Sequence, residues 1–216
     1  MKKLILSLIV AAGIVQYGYA QTENTKMSFS KQPGAATAVQ ESFSSKENIY
    51  LTVDLNGKTV KDFFKLPDVS AGSPYGYLFY VIEVYKGNQL IKDNSWNIAY
   101  IPEADKKNTT LKMDVLPLPA QATTVLSATP QFDAGLAAGP LYELLAKRTF
   151  RETGTYTIRI RIYNRTMDVY GAEQPDEKWP TCSGSFTFDF NEEDVPALLK
   201  NGEAADAAVA KKAFKK

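Results

Sequence analysis

The sequence predicts an all-β protein: an antiparallel β-sandwich, immunoglobulin-like in general architecture, with a short C-terminal helical appendage. Three observations carry this expectation. Six to eight short runs alternate apolar and polar residues and are rich in β-branched and aromatic side chains, the period-two signature of a half-buried strand. Turn signals built on Gly, Asn and Pro separate these runs. No strand–helix–strand alternation is visible, so a parallel α/β sheet is not indicated. The Cys…Trp…Cys spacing of true immunoglobulin domains is absent, because Cys182 is the single cysteine, and the expectation concerns architecture alone.

In chain order, residues 1–20 read as a secretory signal peptide: Lys2 and Lys3, an apolar run from Leu4 to Val15, then Gly18, Tyr19 and Ala20 before Gln21. That run is shorter than the roughly 20 residues a membrane span needs, and no later segment approaches it. The expected address is secreted or periplasmic, with no transmembrane segment in the mature chain. Residues 21–45 are polar and without period, an irregular N-terminal lead-in. Residues 46–190 form the expected β-sandwich domain, and residues 191–216 a helical tail.

Within the domain, "NIYLTVDLNG" alternates Ile49, Leu51, Val53 and Leu55 with polar residues and ends at Asn56-Gly57, a strand running into a tight turn. "YLFYVIEVYKGNQLI" gives a strand, a turn at Lys86-Gly87-Asn88 and a second short run. "TTLKMDVLPL" places Leu111, Met113 and Val115 on one face before Pro117 and Pro119, which cannot continue a ladder. Small residues from Ala120 to Gly139 form a long connection, and "PLYELLAKRTF" fits either a short helix or a strand. "GTYTIRIRIYNR" and "SGSFTFDF" are the clearest strands. In the tail, Pro196 suits a helix start and Asn201-Gly202 a stop. The alanine-rich segment that follows, acids early and lysines late, reads as a docked or frayed helix.

Composition closes several chemistries. With no histidine, Ser-His-Asp and Cys-His catalysis and most zinc, copper and iron sites fall away. Without Lys2 and Lys3, 23 basic residues face 24 acidic ones, a formal charge of −1, which does not suit a nucleic-acid partner. One cysteine makes no internal disulfide, and Cys182 is read as a small buried hydrophobe. Ser28 and Lys31 match Ser-x-x-Lys without the partner motifs that give it meaning. Asp93, Asn94, Ser95 and Asn97 resemble the opening of a calcium loop, but the loop glycine is missing and Ala104 stands at position twelve, so an Asx turn is the simpler reading. No cofactor is expected.

All five arginines, Arg148, Arg151, Arg159, Arg161 and Arg165, lie between Lys147 and Arg165. On "TYTIRIRIYNR", Tyr156, Ile158, Ile160 and Ile162 form one face, and Arg159, Arg161, Tyr163 and Arg165 the other. Two readings stand. In the first, the row is sheet scaffold, paired across strands with acids such as Asp189, Glu83, Asp114 or Asp54. In the second, Arg159, Arg161 and Arg165 join Tyr170 and Trp179 of the 17-residue connection from Thr166 to Cys182 to hold a ligand. The expected function is an exported non-catalytic protein binding another envelope or extracellular component, protein or polysaccharide. The rivals are a carbohydrate-binding module using the loop aromatics and a carboxylate-dependent glycoside hydrolase with two facing acids.

Overall fold

The structure, a computed structural model, describes residues 25–34, 39–66, 75–127, 137–164 and 180–213, the side chains of residues 75, 93–97 and 212–213 excepted. The chain is mostly β with a C-terminal helix, and its sheets curl into a half-barrel. A three-stranded sheet runs in the order β1 (Lys26–Ser30), β3 (Ile49–Asp54), β6 (Thr110–Leu116), with antiparallel pairs throughout. A six-stranded sheet runs β2 (Ser42–Ser44), β9 (Thr181–Phe190), β8 (Gly154–Tyr163), β4 (Tyr75–Lys86), β5 (Gln89–Pro102), β7 (Val125–Ser127).

Two expectations about the sheets are corrected. The lead-in of residues 21–45 is not wholly irregular. Met27, Ser28 and Phe29 of β1 pair with Val53, Thr52 and Leu51, and Phe43 of β2 pairs with Phe188. A five-residue and a three-residue strand are too short to show a period in sequence, and their partners supply the order. The larger sheet is also mixed rather than purely antiparallel, because β2 runs parallel to β9.

Alternation dictates the core. Tyr156, Ile158, Ile160 and Ile162 of β8 are buried, as are Phe186, Phe188 and Phe190 of β9 and Leu111, Met113 and Val115 of β6. One cluster joins both sheets; at its seam the rings of Phe29 and Phe186 lie 4.7 Å apart, tilted by 56°. Burying such side chains stabilises by about 1.5–3 kcal/mol each.

The turn at Asn56-Gly57 has φ of 53° and 81°, the left-handed region that Asn and Gly tolerate best. It leads into the short helix α1 (Val60–Phe64), whose N-cap Thr59 accepts a hydrogen bond from Asp62 N. Residues 89–102 form one long strand, so Asp93–Asn97 lie on β5 rather than in an Asx turn: Asp93 pairs with Glu83 and Asn97 with Tyr80.

Residues 140–146 are helical (α2, Pro140–Ala146), with Pro140 at the first turn and Leu141, Leu144 and Leu145 buried. The tail is a single helix, α3 (Val195–Ala213), that passes through Asn201-Gly202 without stopping. Gly202 is buried, and a Cβ there would lie 3.1 Å from both Cβ and Cγ of Tyr142. The glycine therefore permits close approach of α2 and α3, which overrides its weak helix propensity. Leu198, Ala205 and Val209 continue the buried stripe, and Asp206 Oδ1 accepts from Ala138 N at 2.8 Å, so this helix is docked.

Candidate functional site

The register of β8 decides what its arginines touch. Arg159 stands opposite Glu83 of β4 and opposite Ser185 of β9, and Arg161 opposite Val81 and Ser183. Arg161 Nη2 donates to Glu83 Oε1 at 2.9 Å, and Arg159 Nη1 reaches Glu83 Oε2 at 3.5 Å. Tyr85 OH donates to the same Oε2 at 2.9 Å, and the Arg159 guanidinium sits 5.5 Å above the Tyr85 ring. Burial, and then the bond to Glu83, raises the Tyr85 phenol above its ordinary range.

The Arg161 side chain is 4% exposed and that of Arg159 44%. Arg161 thus serves as a buried partner of Glu83, and only Arg159 presents much surface. Asp189 does not join them. It pairs with Thr155, whose Oγ1 donates to Asp189 Oδ1 at 2.7 Å, four residues and about 13 Å along the strand from Arg159. Arg165, Tyr170 and Trp179 lie outside the described residues.

The remaining two arginines lie at the opposite end of β8, where a second set of cations gathers. Helix α2 ends in paired bonds from Arg148 N to Leu145 O at 2.9 Å and from Thr149 N to Leu144 O at 3.0 Å. This is the Schellman arrangement, whose left-handed position is ordinarily glycine. Here it is Arg148, at φ 53°. A side chain there costs about 1 kcal/mol relative to glycine.

Arg148 faces an open cleft of about 460 Å³ shared with Arg151, Lys147, Lys86 and Lys92. Two acids temper this charge: Lys147 pairs with Glu143, and Lys86 with Glu152. The bond between them lowers the Glu152 carboxyl below its ordinary value and raises the Lys86 ammonium. Among the described residues, no acid pairs with Lys92, Arg148 or Arg151.

The β4–β5 hairpin supplies the other wall. Gly87, at φ 57°, takes the first central position of its two-residue loop, where a type II′ turn requires that sign. Pairing of Val84 with Lys92 and of Tyr85 with Leu90 leaves Ile91 as one extra residue. Such a bulge re-aims neighbouring side chains. Leu90 and Ile91, adjacent in sequence, both line the cleft, and both are exposed, by 47% and 37%.

A smaller recess of about 280 Å³ between β5 and β6 has an apolar floor of Leu78, Leu111, Met113 and Ile162, with single opposite charges, Asp105 and Lys112, in its lining. Among the described residues no three carboxylate or thiol groups gather where they could hold a metal ion.

Sequence reasoning missed the cleft because periodicity drew attention to the strand arginines. The cue lay in "AKRTFR": two arginines at the end of a possible helix cannot be aligned with Lys86 and Lys92 until α2 and the hairpin are placed side by side. Comparison with protein-family models, curated proteins and solved structures finds no match to this chain.

Proposed function

We propose that this chain is an exported, non-catalytic β-sandwich protein whose basic cleft holds an anionic component of the cell envelope or its surroundings. The observation that carries the reading is Arg148. An arginine kept where glycine would relieve the backbone, exposed and lining a cleft with four other cations, is what a site that uses its charge would retain. The cations stand on a hairpin and at a capped helix end, elements that hold charge in fixed places and favour anions over neutral ligands.

The immunoglobulin-like sandwich is the scaffold of this reading, supported by the single core shared between two sheets. The parallel β2–β9 pair and the docked helices depart from that type. Export is supported by the N-terminal pattern of charge, apolar run and small residues.

Thermal unfolding with polygalacturonate, beside neutral dextran, tests the cleft. A ligand at a hundred times its dissociation constant adds about 2.7 kcal/mol. Polygalacturonate is expected to raise the midpoint, less so as salt rises, and Arg148→Gly to abolish most of that response. No shift with polygalacturonate, or a full shift in the variant, contradicts the proposal.

A further inference from the structure

We infer that the anionic component is the headgroup surface of a bilayer, with Leu90 and Ile91 inserted below the headgroups while the cleft cations stay among the phosphates. This rests on the cleft being the binding site and adds the identity of its occupant. A soluble polyanion would need only cations and hydrogen-bond donors. The cleft offers something else: two neighbouring aliphatic side chains, both exposed, in the midst of five cations.

Their placement follows from the hairpin. Every residue from Lys86 to Lys92 is exposed, and a Cβ built on Gly87 would meet nothing within 4 Å, so the turn projects clear of the sheet body. The bulge at Ile91 brings to one cleft two side chains that regular alternation would send to opposite faces. Lys86 and Lys92 flank the aliphatic pair in sequence, and Arg148 and Arg151 face it across the cleft. Apolar insertion beside cations held at headgroup level is the chemistry of a surface-bound protein on an anionic leaflet. Lysine stems can lie along the apolar region with their ammonium groups outward. No helix among the described residues is long and apolar enough to cross a membrane, and the inferred contact is superficial, reversible and salt-sensitive.

The test is sedimentation of the purified protein with phosphatidylglycerol–phosphatidylcholine vesicles and with phosphatidylcholine vesicles, alongside the polygalacturonate thermal shift. Wild-type protein is expected to bind the anionic vesicles at least about tenfold more tightly than the neutral ones. The double substitution Leu90→Gln/Ile91→Gln is expected to weaken vesicle binding by about tenfold or more, while leaving the unliganded midpoint in place. If polygalacturonate shifts the midpoint and anionic vesicles do not bind, the bilayer inference fails and the anionic cleft stands. Equal vesicle binding by the double variant also overturns the inference, because the aliphatic pair then plays no part. If neither probe binds, both readings fail.

Discussion

Arg161 Nη2 and Glu83 Oε1 lie 2.9 Å apart on a sheet face where the two side chains are only 4% and 9% exposed. Removing one member of a buried pair leaves the other's charge desolvated, which typically costs about 3–5 kcal/mol. Glu83→Ala is therefore expected to destabilise by about 3 kcal/mol or more, read from the urea midpoint at unchanged slope. Replacing Glu83 and Arg161 together by leucine and methionine is expected to cost much less than the two single changes summed.

Gly202 permits the contact between α2 and α3. Tyr142 has little freedom to retreat, since it is 5% exposed and its hydroxyl donates to Pro117 O at 2.7 Å. Gly202→Val is expected to destabilise by about 2 kcal/mol or more through overpacking, despite improved helix propensity. Calorimetry checks this, and an unchanged or raised midpoint would mean that the helix is not held at Tyr142.

Cys182 is fully buried, and that burial pushes its thiol up to about 12 from an ordinary value of 9.0. The folded value exceeds the unfolded one, so the associated stability is fully present below pH 9 and is lost as pH rises toward 12. Thiolate is the reactive form. The native protein is expected to resist iodoacetamide at pH 8 for hours and to react within minutes once unfolded in urea.

Glu152 holds Lys86 at the rim of the cleft, where both side chains are well exposed. Glu152→Gln removes a negative charge from an anion site while leaving the fold intact. Affinity for polygalacturonate is expected to rise about two- to fivefold at low salt and to converge with wild type at high salt.

How much of this was legible beforehand depends on the range of each signal. The strand faces of β8, β9 and β6 were readable because side-chain alternation is local: the isoleucines and phenylalanines that alternate in sequence are those buried in the core. The strand assignment of Lys26–Ser30 was not, because its order comes from pairing with Ile49–Asp54, whose partners lie twenty or more residues away. Gly202 looked like a helix stop, and only the approach of Tyr142 shows why a glycine stands mid-helix.

The arginine row divided in a way that sequence could not show. Glu83, one acid among 24, faces Arg159 only once β4 and β8 are in register, whereas Asp189, the acid on the neighbouring strand, is taken by Thr155. The cleft needed still more: a bulged hairpin and a helix end, brought together from two separate segments.

The most direct measurement is the unliganded thermal midpoint of two variants. Arg148→Gly relieves a left-handed side chain, which outweighs the added freedom of the unfolded chain. It is expected to gain about 0.5–1 kcal/mol, raising the midpoint by about 1–4 °C. Arg161→Gln removes a buried cation from Glu83 and is expected to lower the midpoint by several degrees. Opposite shifts are the result expected of a strained side chain at Arg148 and a buried ion-pair partner at Arg161; a lowered midpoint in Arg148→Gly, with none in Arg161→Gln, would contradict the account.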